Sequence, residues 1–360
     1  YIVVKCKKNN YKKISINKLA VIVLFCMILI VFFVTYNRML QLGVIKLGEY
    51  QNISYISSIT YYWNFFKERI LMYFIYIILA FEFNNIIKLT YKSKIVRKIN
   101  FIILTLIVLL IFYTAIQNSV SITETVFLPD VDNGFYLQIG DCLAVYFLYL
   151  IFTSEKKYIL AISSIILLYK IGSRTSLYVM IITLIMCQYM FLNIRNIYKK
   201  MAIIIFSTIF SVLAMVVIVH LISISNLDFR MISVLLNKRL DGSYQARNYI
   251  EQVALADIRN IWFTGYLFRE IFLFGNPGYY IHNILSFWVS YGFIPFILLI
   301  GLVLNNLKKI ILNLKYLDKY NYSLIGIFIF LLIESLVSRS YYYPCIWFCT
   351  YLKLQNYNED

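Results

Sequence analysis

Long apolar stretches alternate along the chain with short polar breaks, and the repeat is much longer than a helical turn or a strand alternation. About 20 apolar residues in a helix cross the roughly 30 Å hydrocarbon core of a bilayer. The pattern therefore predicts about ten crossings, near 18–36, 69–88, 101–117, 134–153, 158–171, 175–193, 201–222, 282–305, 322–338 and 341–353, with room for eleven or twelve. The last of these is the shortest. The predicted fold class is an all-α polytopic membrane protein forming one integral membrane domain. It divides into membrane helices over 1–222, a long extracytoplasmic loop with short helices over 223–281, and further membrane helices over 282–360.

The long loop is not low in complexity. In "LDFRMISVLLNKRL" and "RNYIEQVALADIRNIW" apolar residues recur at helical spacing, which predicts short amphipathic helices at the mouth of the bundle. Gly242, Gly265 and the "GNPG" stretch at 275–278 supply turns. No internal repeat is visible, so the inverted-repeat pattern of many transporters is not found.

Composition agrees with the pattern: 61% of the 360 residues are apolar and 14% are charged, well outside the soluble range. A net charge of +17 raises the question of nucleic acid, but the basic residues are spread among loops rather than gathered on one face or tail. Basic clusters at 5–18, 88–98, 156–157, 195–200 and 308–319 fall in every second loop, all on the N-terminal side of the predicted crossings, and hold most of the 34 Lys and Arg. The positive-inside rule then places both termini on the cytoplasmic side and the 223–281 loop outside. The first apolar block follows a basic flank as a signal peptide would. It is too long and lacks a small-residue cleavage site, so an uncleaved helix is expected. The cysteines have neither disulfide-framework nor metal spacing.

Candidate chemistry collects on the predicted outer face, at Arg174, Arg247, His282 and Arg339. "GSRTS" at 172–176 makes a very short turn that would hold Arg174 near the membrane surface. A guanidinium there can grip a phosphate with a two-pronged fork, although a snorkelling arginine fits the same position. Arg247 stands four residues before Glu251, the spacing of an ordinary helical ion pair. His282 precedes the aromatic run "NILSFWVSYGFIPF", where a packed imidazole and a base are both open readings. Asp141 and Glu334 are carboxylates inside apolar segments and need partners there. "PDVDNG" at 129–134 has an Asp-x-Asp spacing but is also plain turn chemistry.

Taken in order, Ser173-Arg174-Thr175, Arg247 with Tyr249, Gly265-Tyr266, and His282-Asn283 with Leu285 and Gly292 resemble the O-antigen polymerase (Wzy) and O-antigen ligase (WaaL) superfamily. The resemblance covers roughly 172–305, and "FIPF" stands where a second glycine is more common. It implies a glycosyltransferase without metal or cofactor, acting on donor and acceptor glycans linked to undecaprenyl pyrophosphate among membrane lipids, with a chain-length regulator as a further partner and no nucleic acid. It implies His282 as catalytic base and Arg174, Arg247 and Arg339 as pyrophosphate ligands, with Asn283, Tyr249, Tyr279 and Tyr280 contacting substrate. A polymerase of surface polysaccharide is expected. A ligase acting on a lipid A core and, in another class, a polysaccharide flippase are the alternatives.

Overall fold

The computed structural model describes residues 2–6, 10–14, 16–42, 59–93, 135–153, 157–171, 173–190, 198–207, 242–256, 261–267, 281–314 and 319–354, with a few helical positions at 95–106 and 209–213. The 101–117 crossing, most of 201–222, the 223–241 half of the long loop, the "PDVDNG" turn, Tyr279 and Tyr280 lie outside the described residues or nearly so.

The described elements are helices, apart from a hairpin of β1 (Ile2–Cys6) and β2 (Asn10–Ile14) within the basic N-terminal stretch. The helices are α1 (Ile16–Leu42), α2 (Ile59–Lys92), α3 (Phe135–Thr153), α4 (Lys157–Ile171), α5 (Arg174–Met190), α6 (Gly242–Ala256), α7 (Leu285–Tyr291), α8 (Phe293–Asn313), α9 (Lys319–Val337) and α10 (Pro344–Cys349). Among the described residues, three spans are long and apolar enough to cross a membrane, Lys18–Thr35, Phe293–Asn313 and Tyr320–Val337. By length and composition they mark a membrane protein. Large side chains such as Ile30, Phe33, Leu71, Leu304 and Val337 are exposed on these helices and on α2, as lipid-facing positions require.

Two expected crossings are corrected. The stretch predicted as 282–305 begins instead with a bend at 281–284 and the seven-residue α7, and the membrane-length helix starts at Phe293. Gly292, at φ 85°, breaks the helix between them. The stretch predicted as 341–353 contains only the six-residue α10, about 9 Å long. It is apolar because Tyr341, Cys345, Trp347 and Cys349 are buried within the protein, not because it faces lipid.

The chain forms two compact units. The first comprises 1–81, 242–309 and 335–352; the second comprises 82–241, 310–334 and 353–360. In the first, α1 and α2 run antiparallel. Lys18 Nζ lies 5.3 Å from the Phe81 ring centroid, and Phe25 and Phe74 are 6.0 Å apart further along. Around Tyr341, the rings of Tyr73, Phe287 and Tyr291 make edge contacts at 5.1–6.4 Å. In the second unit α3, α4 and α5 pack on one another, and Gly140 permits the closest approach, since a Cβ there would strike the Ser173 side chain.

Candidate active site

In the first unit, α6 lies against the segment that carries His282. Ala254 of α6, Ile281 of the bend and Val289 of α7 form one buried cluster, with Ile261 and Leu285 packed on it. Ile250 and Ala254, one turn apart, mark the buried face of α6, so the amphipathic helix expected here is present. Burial of Ile281 and Val289 stabilises this arrangement by about 1.5–3 kcal/mol for each side chain.

The bend is fixed by side-chain bonds at both ends. Asn283 Oδ1 accepts from Leu285 N at 2.9 Å and opens α7, while Asn283 Nδ2 donates to Glu251 Oε1 at 3.2 Å and ties the bend to α6. The asparagine expected to contact substrate thus holds the histidine's backbone in place. Glu251, spaced for an ion pair with Arg247, receives this bond from Asn283. Ser286 Oγ donates to Asn283 O at 2.6 Å and accepts from Tyr341 N at 3.1 Å, so the turn after α9 is bound to the same bend.

That turn carries Arg339, which is 2% exposed. Its Nη1 donates to Ser338 Oγ at 3.0 Å, and its guanidinium carbon stands 5.4 Å from the Tyr343 ring centroid. Taking a guanidinium out of water costs several kcal/mol even after relaxation. The hydrogen bond and the ring offset part of that cost.

His282 is mostly buried, and its surroundings push its pKa down from 6.5 to about 3. Burial is the largest cause, followed by the positive charges of Arg247 and then Arg339. The imidazole is therefore neutral at pH 7, with one ring nitrogen bearing a lone pair. Two guanidinium groups, Arg247 and Arg339, act on the ring, and the Glu251 carboxylate is bonded to the next residue, Asn283. Tyr249, on the same helix as Arg247, is 53% exposed.

Arg174 belongs to the second unit, as the first residue of α5. The short turn read from the sequence is present: α4 ends at Ile171 and α5 begins at Arg174. Ser173 O accepts from Leu177 N at 3.0 Å, the Ser173 and Ser176 hydroxyls are 2.6 Å apart, and Ser176 Oγ donates to Asp141 Oδ1 at 2.7 Å. The buried Asp141 carboxylate has its expected partner, and that partner lies in the "SRTS" stretch. Arg174 itself is partly exposed at the helix start.

Sequence reading overlooked Arg69 on α2, whose guanidinium carbon stands 4.7 Å from the Tyr342 ring centroid. Its signal was faint: an arginine bordering the apolar run 70–81 looks like any flanking charge. Arg339 is the most deeply buried of the candidates described. Comparison with protein-family models, curated proteins and solved structures gave no match.

Proposed function

We propose that the chain is a metal-independent membrane glycosyltransferase that polymerises surface polysaccharide from repeat units carried on undecaprenyl pyrophosphate. The observation that carries this reading is the place of His282 in a bend that Asn283 ties to the helix bearing Arg247 and Ser286 ties to the turn bearing Arg339. In the reaction, an acceptor hydroxyl oxygen bonds to the anomeric carbon of the donor glycan as the bond from that carbon to the pyrophosphate oxygen breaks. The hydroxyl proton passes to a ring nitrogen of the neutral His282, and lipid pyrophosphate leaves with the bonding electron pair. Arg247 and Arg339 stabilise the charge that grows on the leaving group. Arg174 is a further pyrophosphate ligand on the resemblance alone.

Burial, and after it the charges of Arg247 and Arg339, make His282 a weak base at pH 7. A bound pyrophosphate would offset the arginines' share of that shift and leave the larger share, burial, in place. The distribution of basic loops supports an extracytoplasmic site: the positive-inside rule assigns the basic N-terminal stretch before α1 to the cytoplasm and the loop before His282 to the other side.

The test is single-turnover glycan transfer by purified protein with a defined lipid-linked donor, comparing wild type, His282→Ala and His282→Gln at equal folded amounts. The alanine variant should lose about 10²- to 10⁴-fold in rate with donor binding retained. Near-wild-type turnover by His282→Gln would remove the base, because an amide cannot accept the proton. Transfer to a lipid A core rather than to a second repeat unit would identify a ligase using the same donor chemistry.

A further inference from the structure

The turn before Gly265 carries two large aromatic side chains on its outside. Trp262 is 49% exposed and Phe263 51%, although the turn itself is held by several bonds. Gly265 N donates to Ile261 O at 2.8 Å, and Trp288 Nε1 donates to Trp262 O at 2.7 Å. Phe263 O accepts from Phe293 N, the first N–H of α8, at 3.2 Å. Because the first N–H groups of a helix point outward along its axis, the turn stands beyond the start of α8. The Trp262 ring lies 5.5 Å from that of Phe263 and 5.7 Å from that of Phe293, so the rings form one patch at the helix start. Covering such a side chain is worth about 1.5–3 kcal/mol, which the protein's own packing does not supply in full at Trp262 and Phe263.

The exposed side of α8 shows what lies next to the patch. Ile294, Ile297, Gly301, Leu304 and Lys308 are exposed and recur at spacings of three and four, forming one stripe along the helix. Since α8 is long and apolar enough to cross a membrane, the apolar part of the stripe faces lipid. From Ile294 to the charge at Lys308 the stripe covers fourteen residues, about 21 Å at 1.5 Å per residue. A hydrocarbon core is roughly 30 Å thick. With Lys308 at one boundary, the core therefore continues past the start of α8 and over the turn that bears Trp262 and Phe263. The polar groups beside the rings are engaged within the turn: Trp262 O accepts from Trp288 Nε1, and Thr264 Oγ1 donates to Gly265 O at 3.3 Å. A stacked saccharide would need partners for its hydroxyls, whereas aromatic rings of this kind suit the boundary between acyl chains and headgroups.

We propose that the 261–264 turn is an interfacial anchor, with the rings of Trp262 and Phe263 inserted among the acyl chains just below the lipid headgroups where α8 begins. The lipid surface that covers them is continuous with the one that covers Ile294 and Ile297. The anchor also bears on the candidate site. Ile261 packs on the cluster of Ala254, Ile281 and Val289, and Tyr266 N donates to Val289 O at 2.8 Å, so the turn is joined to both α6 and the His282 bend. The depth of the two rings then sets the depth of His282, at the level of lipid headgroups. The inference goes beyond the transfer reading and does not require it, because insertion belongs to the folded chain without substrate.

The experiment uses the full chain labelled with fluorotryptophan and placed in nanodiscs of dioleoyl phosphatidylcholine. The chain has four tryptophans, so fluorine NMR gives four signals, and Trp262→Phe identifies one of them. Phosphatidylcholine with a nitroxide near the headgroup should broaden the Trp262 signal at least about threefold more than the same lipid with its nitroxide at the chain end, as insertion by roughly 5–10 Å requires. A gadolinium chelate confined to water should broaden it less than the nitroxide near the headgroup does. Phe263→Ser removes one of the two rings and should weaken the lipid effect on Trp262 while strengthening that of gadolinium. Broadening by gadolinium alone would overturn the proposal and put the rings in water, where a saccharide could stack on them. Broadening by none of the probes would overturn it as well, since protein would then cover the rings, and so would a stronger effect from the chain end than from the headgroup. If Phe263→Ser fails to fold, the three probes on wild type still decide. No transfer is read, so a failed His282 assignment leaves this result standing.

Discussion

Gly265 and Gly292 meet back to back: a Cβ on either would strike the backbone of the other's segment. Both have positive φ, 66° and 85°, which L side chains rarely adopt. Around them Tyr266 N donates to Val289 O at 2.8 Å and Phe293 N to Phe263 O at 3.2 Å, so the 261–267 turn is stitched to the break between α7 and α8. This junction fixes where α7 ends, and with it the direction in which the His282 bend leaves the membrane helix.

Alanine at either glycine should therefore be costly. Positive φ alone costs on the order of 1–3 kcal/mol, and the backbone contact adds to it. Gly265→Ala and Gly292→Ala should each lower the thermal midpoint and the yield of folded protein, whereas Gly301→Ala, where a Cβ meets nothing within 4 Å, should leave both near wild type. Equal behaviour of the three variants would refute the close-approach account.

The low pKa of His282 predicts a stability slope of definite sign. The unfolded chain takes up this proton near pH 6.5 and the folded chain only near 3, so between those values the unfolded state binds more protons. Stability then rises with pH across that window, by about 1.4 kcal/mol per unit at its steepest, and is flat above it. His282→Gln removes this contribution. Thermal midpoints measured from pH 4 to 8 should converge on the acid side and run parallel above pH 7, with wild type gaining relative to the variant in between.

Anion binding should reverse the arginines' effect. The chain has two histidines, so ¹⁵N-histidine labelling gives two imidazole signals, and a His220→Asn variant assigns them. Inorganic pyrophosphate should raise the His282 midpoint by one unit or more in wild type. In Arg247→Lys the rise should be smaller and transfer activity mostly lost, because a point charge does not replace two parallel hydrogen bonds. A full response with lysine would leave Arg247 as a general positive charge.

The topology has its own test. Reporter fusions after Lys98 and after Leu240 should lie on opposite sides of the membrane, the first cytoplasmic and the second not. Agreement between the two would reverse the assignment of the His282 face.

Much of the helical pattern was legible in the sequence, because apolar length alone marks α1, α8 and α9 as able to cross a bilayer. The start of α8 was not. Hydropathy averages over side chains and does not register that Gly292 turns the backbone inside an unbroken apolar run. The 341–353 stretch misled for a related reason: Tyr341 and Trp347 are apolar because they are interior, and a hydropathy sum does not separate interior from lipid. Within the candidate site, residue types pointed to His282 and Arg247, but the importance of Arg339 depended on burial. That of Arg69 depended on the ring it stacks upon, 273 positions away. Asn283 has a role in holding the bend that only its two bonding partners reveal.

The ring of Tyr73, in the second helix made, packs against Tyr341 and Trp347 at centroid distances of 6.2 and 4.9 Å. At the usual pace of translation, 5–20 residues per second, the ribosome takes tens of seconds to go from one to the other. During that interval α1 and α2 have each other and lipid, but not the turn that completes their unit, and the middle of the chain is synthesised meanwhile. The order of synthesis thus makes the first helices wait for the last. Any factor that shields an unfinished bundle in the membrane has the face around Tyr73 to cover until Tyr341 arrives.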